Sequence, residues 1–244
     1  MYGSIKGQYP DLEAGSAVAL FPGISYSENI DRWNFVRKIY GILSLQLLLT
    51  VAVAGVVVSN PSVALFFTSP SGFGLYIFIV ISPFMWICAL YYYHRTHPIN
   101  YILLFIFTAC ISLAVGLSCA FTNGKVVLEA TILTAVVVIS LTLYTFWAAR
   151  RGYDFSFLGP VLFSAIFVLI VFGFIQVFLP LGRTSVMIYG VLASIIFSGY
   201  IVFDTDNLIK RYSYDEYIWA TVALYLDIIN LFLSLLTLFR GVRD

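Results

Sequence analysis

Acidic side chains inside apolar sequence are the residues whose chemistry most needs a reason. Asp227 lies in the run Ala223-Leu-Tyr-Leu-Asp-Ile-Ile-Asn-Leu-Phe-Leu-Ser234. Lipid cannot solvate a carboxyl at that depth, so such residues face a protein interior or a water-filled cavity. Asn230 at i+3 and Ser234 at i+7 share its helical face and form a polar stripe. Asp204 stands in the preceding apolar run, followed on its own face by Asn207 and Arg211. Folding the chain back about Tyr212–Tyr214 sets the two aspartates within about one helical turn of the same depth. Two carboxylates held close at low dielectric share a proton and so form a pH-sensing pair. Loss of that proton leaves repulsion and an oxygen-rich site suited to transient contact with a hard cation such as Ca²⁺. The spacing also fits a second reading, an aspartate kept neutral or paired with a base for packing specificity alone.

The remaining candidates are weaker. Glu129 falls one turn into an apolar run, near its outer end, where its carboxyl either reaches water or needs a partner. Asp206 projects about 200° away from Asp204 on a helix and reads as an interfacial partner for Lys210 at i+4. His94 and Arg95 close another apolar run and are either counter-charges for a buried acid or ordinary interfacial anchors. Cys88, Cys110 and Cys119 all fall in apolar runs without CxxC spacing, which fits packing and argues against a disulfide framework or zinc site.

These residues need helices long enough to hold them in a membrane. Of 244 residues, 61% are hydrophobic and 10% charged, and the mean hydropathy is +0.97; an average soluble domain is about 25% charged. The apolar residues come in runs near the ~20 needed to span a bilayer as helix. Seven spans are expected, over Ile39–Val58, Phe73–Tyr93, Tyr101–Phe121, Val126–Ala149, Phe157–Pro180, Val186–Leu208 and Tyr217–Phe239. The fold class is therefore all-α, a polytopic bundle. A β-barrel would use much shorter alternating segments. Residues 1–38 read as a polar, largely flexible cytoplasmic tail and 39–244 as one transmembrane domain. Within the tail, Ile30–Lys38 suits an amphipathic helix lying at the interface. No cleavable signal peptide is expected, so the first span would be the targeting signal. A net charge of +1 gives no reason to expect a nucleic-acid partner, and no GxSxG or HExxH pattern suggests an enzyme. No cofactor is expected.

Orientation follows from the basic residues. With the amino terminus in the cytoplasm, Lys6, Arg32, Arg37, Lys38, Arg95, Arg150, Arg151, Lys210 and Arg211 lie inside, against Lys125, Arg183, Arg240 and Arg243 outside. The two terminal arginines oppose a full seventh crossing, and a re-entrant seventh helix would return the tail to the cytoplasm.

Three stretches resemble the transmembrane Bax inhibitor motif family: Tyr40-Gly-Ile-Leu-Ser-Leu-Gln-Leu-Leu-Leu-Thr50, Phe203-Asp-Thr-Asp-Asn-Leu-Ile209 and Leu224-Tyr-Leu-Asp-Ile-Ile-Asn-Leu-Phe232. Arg37-Lys38-Ile39-Tyr40, Glu129-Ala130 and Tyr153-Asp154-Phe155 are similar to its lifeguard branch. The resemblance runs from about Arg32 to the carboxyl end. It implies seven helices in endoplasmic reticulum, Golgi or related membranes, with the plasma membrane also open. It also implies suppression of cell death and a pH-dependent Ca²⁺ leak, with the family's paired aspartates on Asp204 and Asp227. A bacterial branch clamps the first of these with an arginine from the second helix, and that place falls here at His94 or Arg95. The implied partners are the bilayer, Ca²⁺ as permeant ion, protons and other membrane regulators of cell death. A non-conducting scaffold that suppresses death by binding such regulators is the alternative.

Overall fold

The computed structural model describes residues 26–179 and 181–243, with side chains from Ile30 onward. Among these, eight α-helices run in the order α1 (Tyr26–Ser59), α2 (Pro61–Thr68), α3 (Pro70–Tyr93), α4 (Ile99–Ala120), α5 (Gly124–Arg150), α6 (Leu158–Phe178), α7 (Arg183–Lys210) and α8 (Tyr217–Arg243). One 3-10 turn, Tyr214–Glu216, precedes α8. Every helix except α2 is long and apolar enough to cross a membrane, which gives seven spans.

The expected spans match these helices closely, with two differences. First, α1 begins at Tyr26 and runs unbroken for 34 residues. The stretch Ile30–Lys38 is therefore the opening of the first spanning helix and not a separate interfacial one. One face of it turns inward, with Phe35 and Val36 buried, while Ile30 and Trp33 stay exposed. No Pro or Gly interrupts Tyr26–Tyr40, so nothing stops the helix from extending. The tail reading for residues 1–25 lies outside the described residues. Second, the link after the first span forms α2, which Pro61 opens at a position where its missing N–H costs nothing. With eight residues it is too short to cross.

Local chemistry fixes several ends. The Ser69 hydroxyl accepts from Gly72 N at the start of α3 (3.2 Å), and Asn123 Oδ1 accepts from Lys125 N at the start of α5 (3.0 Å). Pro83 sits inside α3 and leaves the Ile79 carbonyl without its usual backbone donor. The Ser82 hydroxyl donates to that carbonyl instead (3.2 Å), as membrane helices require.

Packing is far from uniform. In α8, 61% of the apolar window is buried, against 11% in α6, so α8 is the core strut and α6 faces mainly lipid. Two glycines set the closest approaches between helices. A Cβ at Gly190 would lie 2.9 Å from Leu238 N, so α7 meets the α8 backbone there. A Cβ at Gly116 would lie 3.0 Å from Ala54 Cα, which brings α4 onto α1. Small residues at such crossings drive membrane helix association. α8 does not turn back but is one unbroken helix of 27 residues, long enough to cross, and Arg183 Nη2 donates to Val242 O (2.7 Å) at its far end.

Candidate functional site at the α7–α8 interface

The Ser213–Glu216 connector makes the hairpin between α7 and α8 tight. Ser213 N donates to Glu216 Oε2 (3.1 Å) in a capping box that starts the 3-10 turn. The hairpin sets the side chains of Asp204 and Asp227 beside each other, close enough for the two carboxyl groups to interact. Asp227 is 6% exposed, and no described donor addresses its Oδ2. Two carboxyl groups set side by side at low dielectric share a proton more readily than both ionise. Asn207 Nδ2 approaches Asp204 Oδ1 at 3.5 Å.

From Asn207 a chain of polar contacts leads outward. Arg211 Nη1 donates to Asn207 Oδ1 (2.9 Å), and Arg211 Nη2 donates to Asp154 Oδ1 (3.0 Å) in the α5–α6 loop. Hydrogen bonds from the Ser156 hydroxyl and backbone N–H hold the Asp154 carboxyl below the usual carboxylate range, and the Arg211 charge adds to that. Asp206, the most buried acid of the group at 0% exposure, pairs with Lys210 at i+4 and accepts from Phe155 N (3.2 Å). Burial pushes the Tyr212 phenol above its ordinary range, and negative charge on Asp204 and Asp227 adds to the effect. Asn230 is half-buried, and the Ser234 hydroxyl donates to its carbonyl (2.6 Å).

The other sequence candidates are engaged elsewhere. Arg95 pairs with Glu216 (3.4 Å), and His94 Nδ1 contacts Tyr91 O (2.6 Å). The side chains that address Asp204 are Asp227 and Asn207. Glu129 accepts from Arg243 Nη2 (2.6 Å), which ties α5 to the last turn of α8 at the opposite end of the bundle.

Sequence reasoning missed a buried polar seam joining α1, α4 and α8. Gln46 Nε2 donates to Thr108 Oγ1 (2.8 Å), Ser112 Oγ donates to Thr50 Oγ1 (3.0 Å), and Thr50 Oγ1 meets the Tyr225 hydroxyl (2.9 Å). The available signal was the matched i, i+4 spacing of Gln46/Thr50 and Thr108/Ser112 in two apolar helices. A second omission was the ring of contacts around the connector. Arg32 Nη1 donates to Tyr212 O (2.6 Å), Lys38 Nζ lies 3.2 Å from the Tyr217 ring centroid, and Asn100 Nδ2 donates to the Tyr217 hydroxyl (3.2 Å).

Fold and site define a multi-pass helical membrane protein with an acid pair buried between its last two spans. No group of three or more His, Cys, Asp or Glu that could hold a metal ion occurs among the described residues. Comparison with known proteins narrows the class. Residues 32–244 match the family described as inhibitor of apoptosis-promoting Bax1. The chain is 64% identical over 236 residues to Protein LIFEGUARD 2 of Arabidopsis thaliana, covering 96% of this chain and 98% of that protein. It is 37% identical over 234 residues to Protein lifeguard 4 of Mus musculus, covering 96% and 93% of the two chains. It is also 39% identical over 233 residues to the Golgi anti-apoptotic protein of Vaccinia virus (strain Lister), covering 93% and 91%. The chain belongs to the transmembrane Bax inhibitor motif family, in its lifeguard branch.

Proposed function

We propose that this protein suppresses cell death from an intracellular membrane, the Golgi or endoplasmic reticulum, by acting as a proton-controlled leak for Ca²⁺. Family membership supports the first half, because the family is described as inhibitors of a death-promoting protein and the viral relative is named as Golgi and anti-apoptotic. One observation carries the second half: the placement of Asp204 and Asp227 beside each other across the α7–α8 interface, with Asp227 buried. With one proton between them, the pair bonds the two helices. When the proton leaves, two negative charges face each other at low dielectric and drive the helices apart. The freed oxygens then suit a permeating hard cation. Asn207 and Arg211 position Asp204 for this role. The cytoplasmic side is the end bearing Arg32, Arg95, Lys210 and Arg211, by the excess of basic residues there.

Ca²⁺ flux from proteoliposomes of the purified chain, measured across pH 5–8, tests the reading. Wild type should conduct more as pH rises, and Asp204→Asn and Asp227→Asn should each flatten that response. Unchanged pH dependence in both variants rejects the latch. Absence of flux from folded wild-type protein favours the scaffold reading instead.

A further inference from the structure

The α1 and α5 helices touch at one end of the bundle and part toward the other. Near the connector end, the Phe146 ring packs on Trp33 and Tyr40, with centroids 6.4 and 6.1 Å apart. Toward the Arg243 end a wedge of about 590 Å³ opens between the two helices, floored by α8 at Ile228, Ile229 and Phe232. That volume lies within the range of small-ligand sites, about 300–1,000 Å³. Its two walls are helical stripes. On α1 the lining runs from Leu47 to Val58, about 16 Å of helix. This length is close to one leaflet of a hydrocarbon core about 30 Å thick. The rim is open to the side, with Val51 and Ile139 both exposed.

The threonine hydroxyl protons in the lining are already committed to the protein. The hydroxyls of Thr50, Thr131 and Thr134 donate to the carbonyls of Gln46 (2.9 Å), Val127 (2.8 Å) and Ala130 (2.7 Å) on their own helices. The wedge therefore presents no charged group and no free threonine hydroxyl donor, so a charged headgroup finds no donor there. An aliphatic chain asks for none.

We propose that the wedge between α1 and α5 is a binding site for one acyl chain of a bilayer phospholipid, entering sideways from the leaflet at the Arg243 end. The chain would seat against Ile228, the residue after Asp227, so occupancy bears on the α8 segment that carries Asp227. The binding claim itself does not depend on any ion flux.

The test uses the full chain in phosphatidylcholine nanodiscs that contain a phosphatidylcholine with a diazirine in one acyl chain. After irradiation, adducts are mapped by peptide mass spectrometry. Labelling at residues 47–58 and 127–139 should exceed labelling at exposed α6 residues such as Phe163 and Val177 several-fold. A Cβ at Gly55 meets nothing within 4 Å, so Gly55→Phe has room to fill the wedge. It should reduce wedge labelling to the α6 level while α6 labelling stays constant. Ala135→Phe fills the site from the α5 wall and should do the same, so a folding failure in one variant leaves the other. Wild-type labelling spread evenly over the lipid-facing helices overturns the proposal. So does wedge labelling that survives both substitutions, or its displacement by a photoactivatable sterol.

Discussion

The two ends of the bundle are held by different means. At the connector end, side chains from α1, α4, the α5–α6 loop, α7 and α8 meet through Arg32, Asn100, Asp154, Arg211 and Tyr217. Those contacts are polar, several are ionic, and protons can rearrange them. In the opposite half, α7 meets α8 and α4 meets α1 by backbone approach at Gly190 and Gly116, while α1 and α5 stand apart. Close glycine contacts have no titratable part, and the Arg243–Glu129 ion pair beside them is exposed and contributes little. A pH change can therefore loosen the first end while the second keeps the helices in register, and movement becomes a pivot about the glycine contacts.

The largest effect is expected where that pivot is attacked. A side chain at Gly190 must displace backbone, since Leu238 N and Ser234 O lie 2.9 and 3.0 Å from the Cβ position. Gly190→Leu should destabilise the chain by about 3 kcal/mol, the upper range for overpacking, read as a lowered unfolding midpoint in detergent. Gly41→Leu, where a Cβ meets nothing within 4 Å, should leave the midpoint nearly unchanged. Equal effects at the two sites would remove the contrast between the ends. A smaller loss is expected midway along the bundle. Thr50→Val deletes the contacts to Tyr225 and Ser112 and should cost about 1 kcal/mol by the same measurement.

The smallest effect falls at the connector end. Asp154→Asn weakens an exposed tie to Arg211 and should cost less than about 1 kcal/mol. Its pH dependence is more telling than its size. The folded carboxyl titrates below its unfolded value, held there first by the Ser156 hydroxyl. Its contribution is thus complete above about pH 4 and is lost as pH falls through the folded value. Wild type and Asp154→Asn should differ by a constant amount from pH 5 to 8 and converge in acid. A difference that grows with acidity would contradict the assignment.

Hydropathy made the seven spans legible, because a span is defined by how many apolar residues run together, and that survives any rearrangement of neighbours. The acid pair was legible as a juxtaposition because α7 and α8 are joined by a short connector that fixes relative depth. The early start of α1 was not, since Tyr26–Lys38 is too polar to look like part of a span, although Phe35 and Val36 end up buried. Nor were the partners of Arg95, Arg211 and Arg243. Each reaches a residue remote in sequence, Glu216, Asp154 and Glu129, and only packing decides which long side chains meet. Gln46 and Thr50 carried a faint signal, two hydrogen-bonding groups one turn apart in an apolar helix, but not the identity of what they would find.

The central position of α8 also bears on how the molecule is made. Of the seven spans it leaves the ribosome last, yet it supplies the strut around which the others close. Until it arrives, α1, α4, α5 and α7 lack the surface they are shaped to fit. An aspartate at mid-span opposes partitioning into lipid by about 3 kcal/mol on insertion scales, and α7 with Asp204 is already in place to receive it. Among the seven spans α8 is therefore the keystone, inserted after the helices that are shaped to receive it.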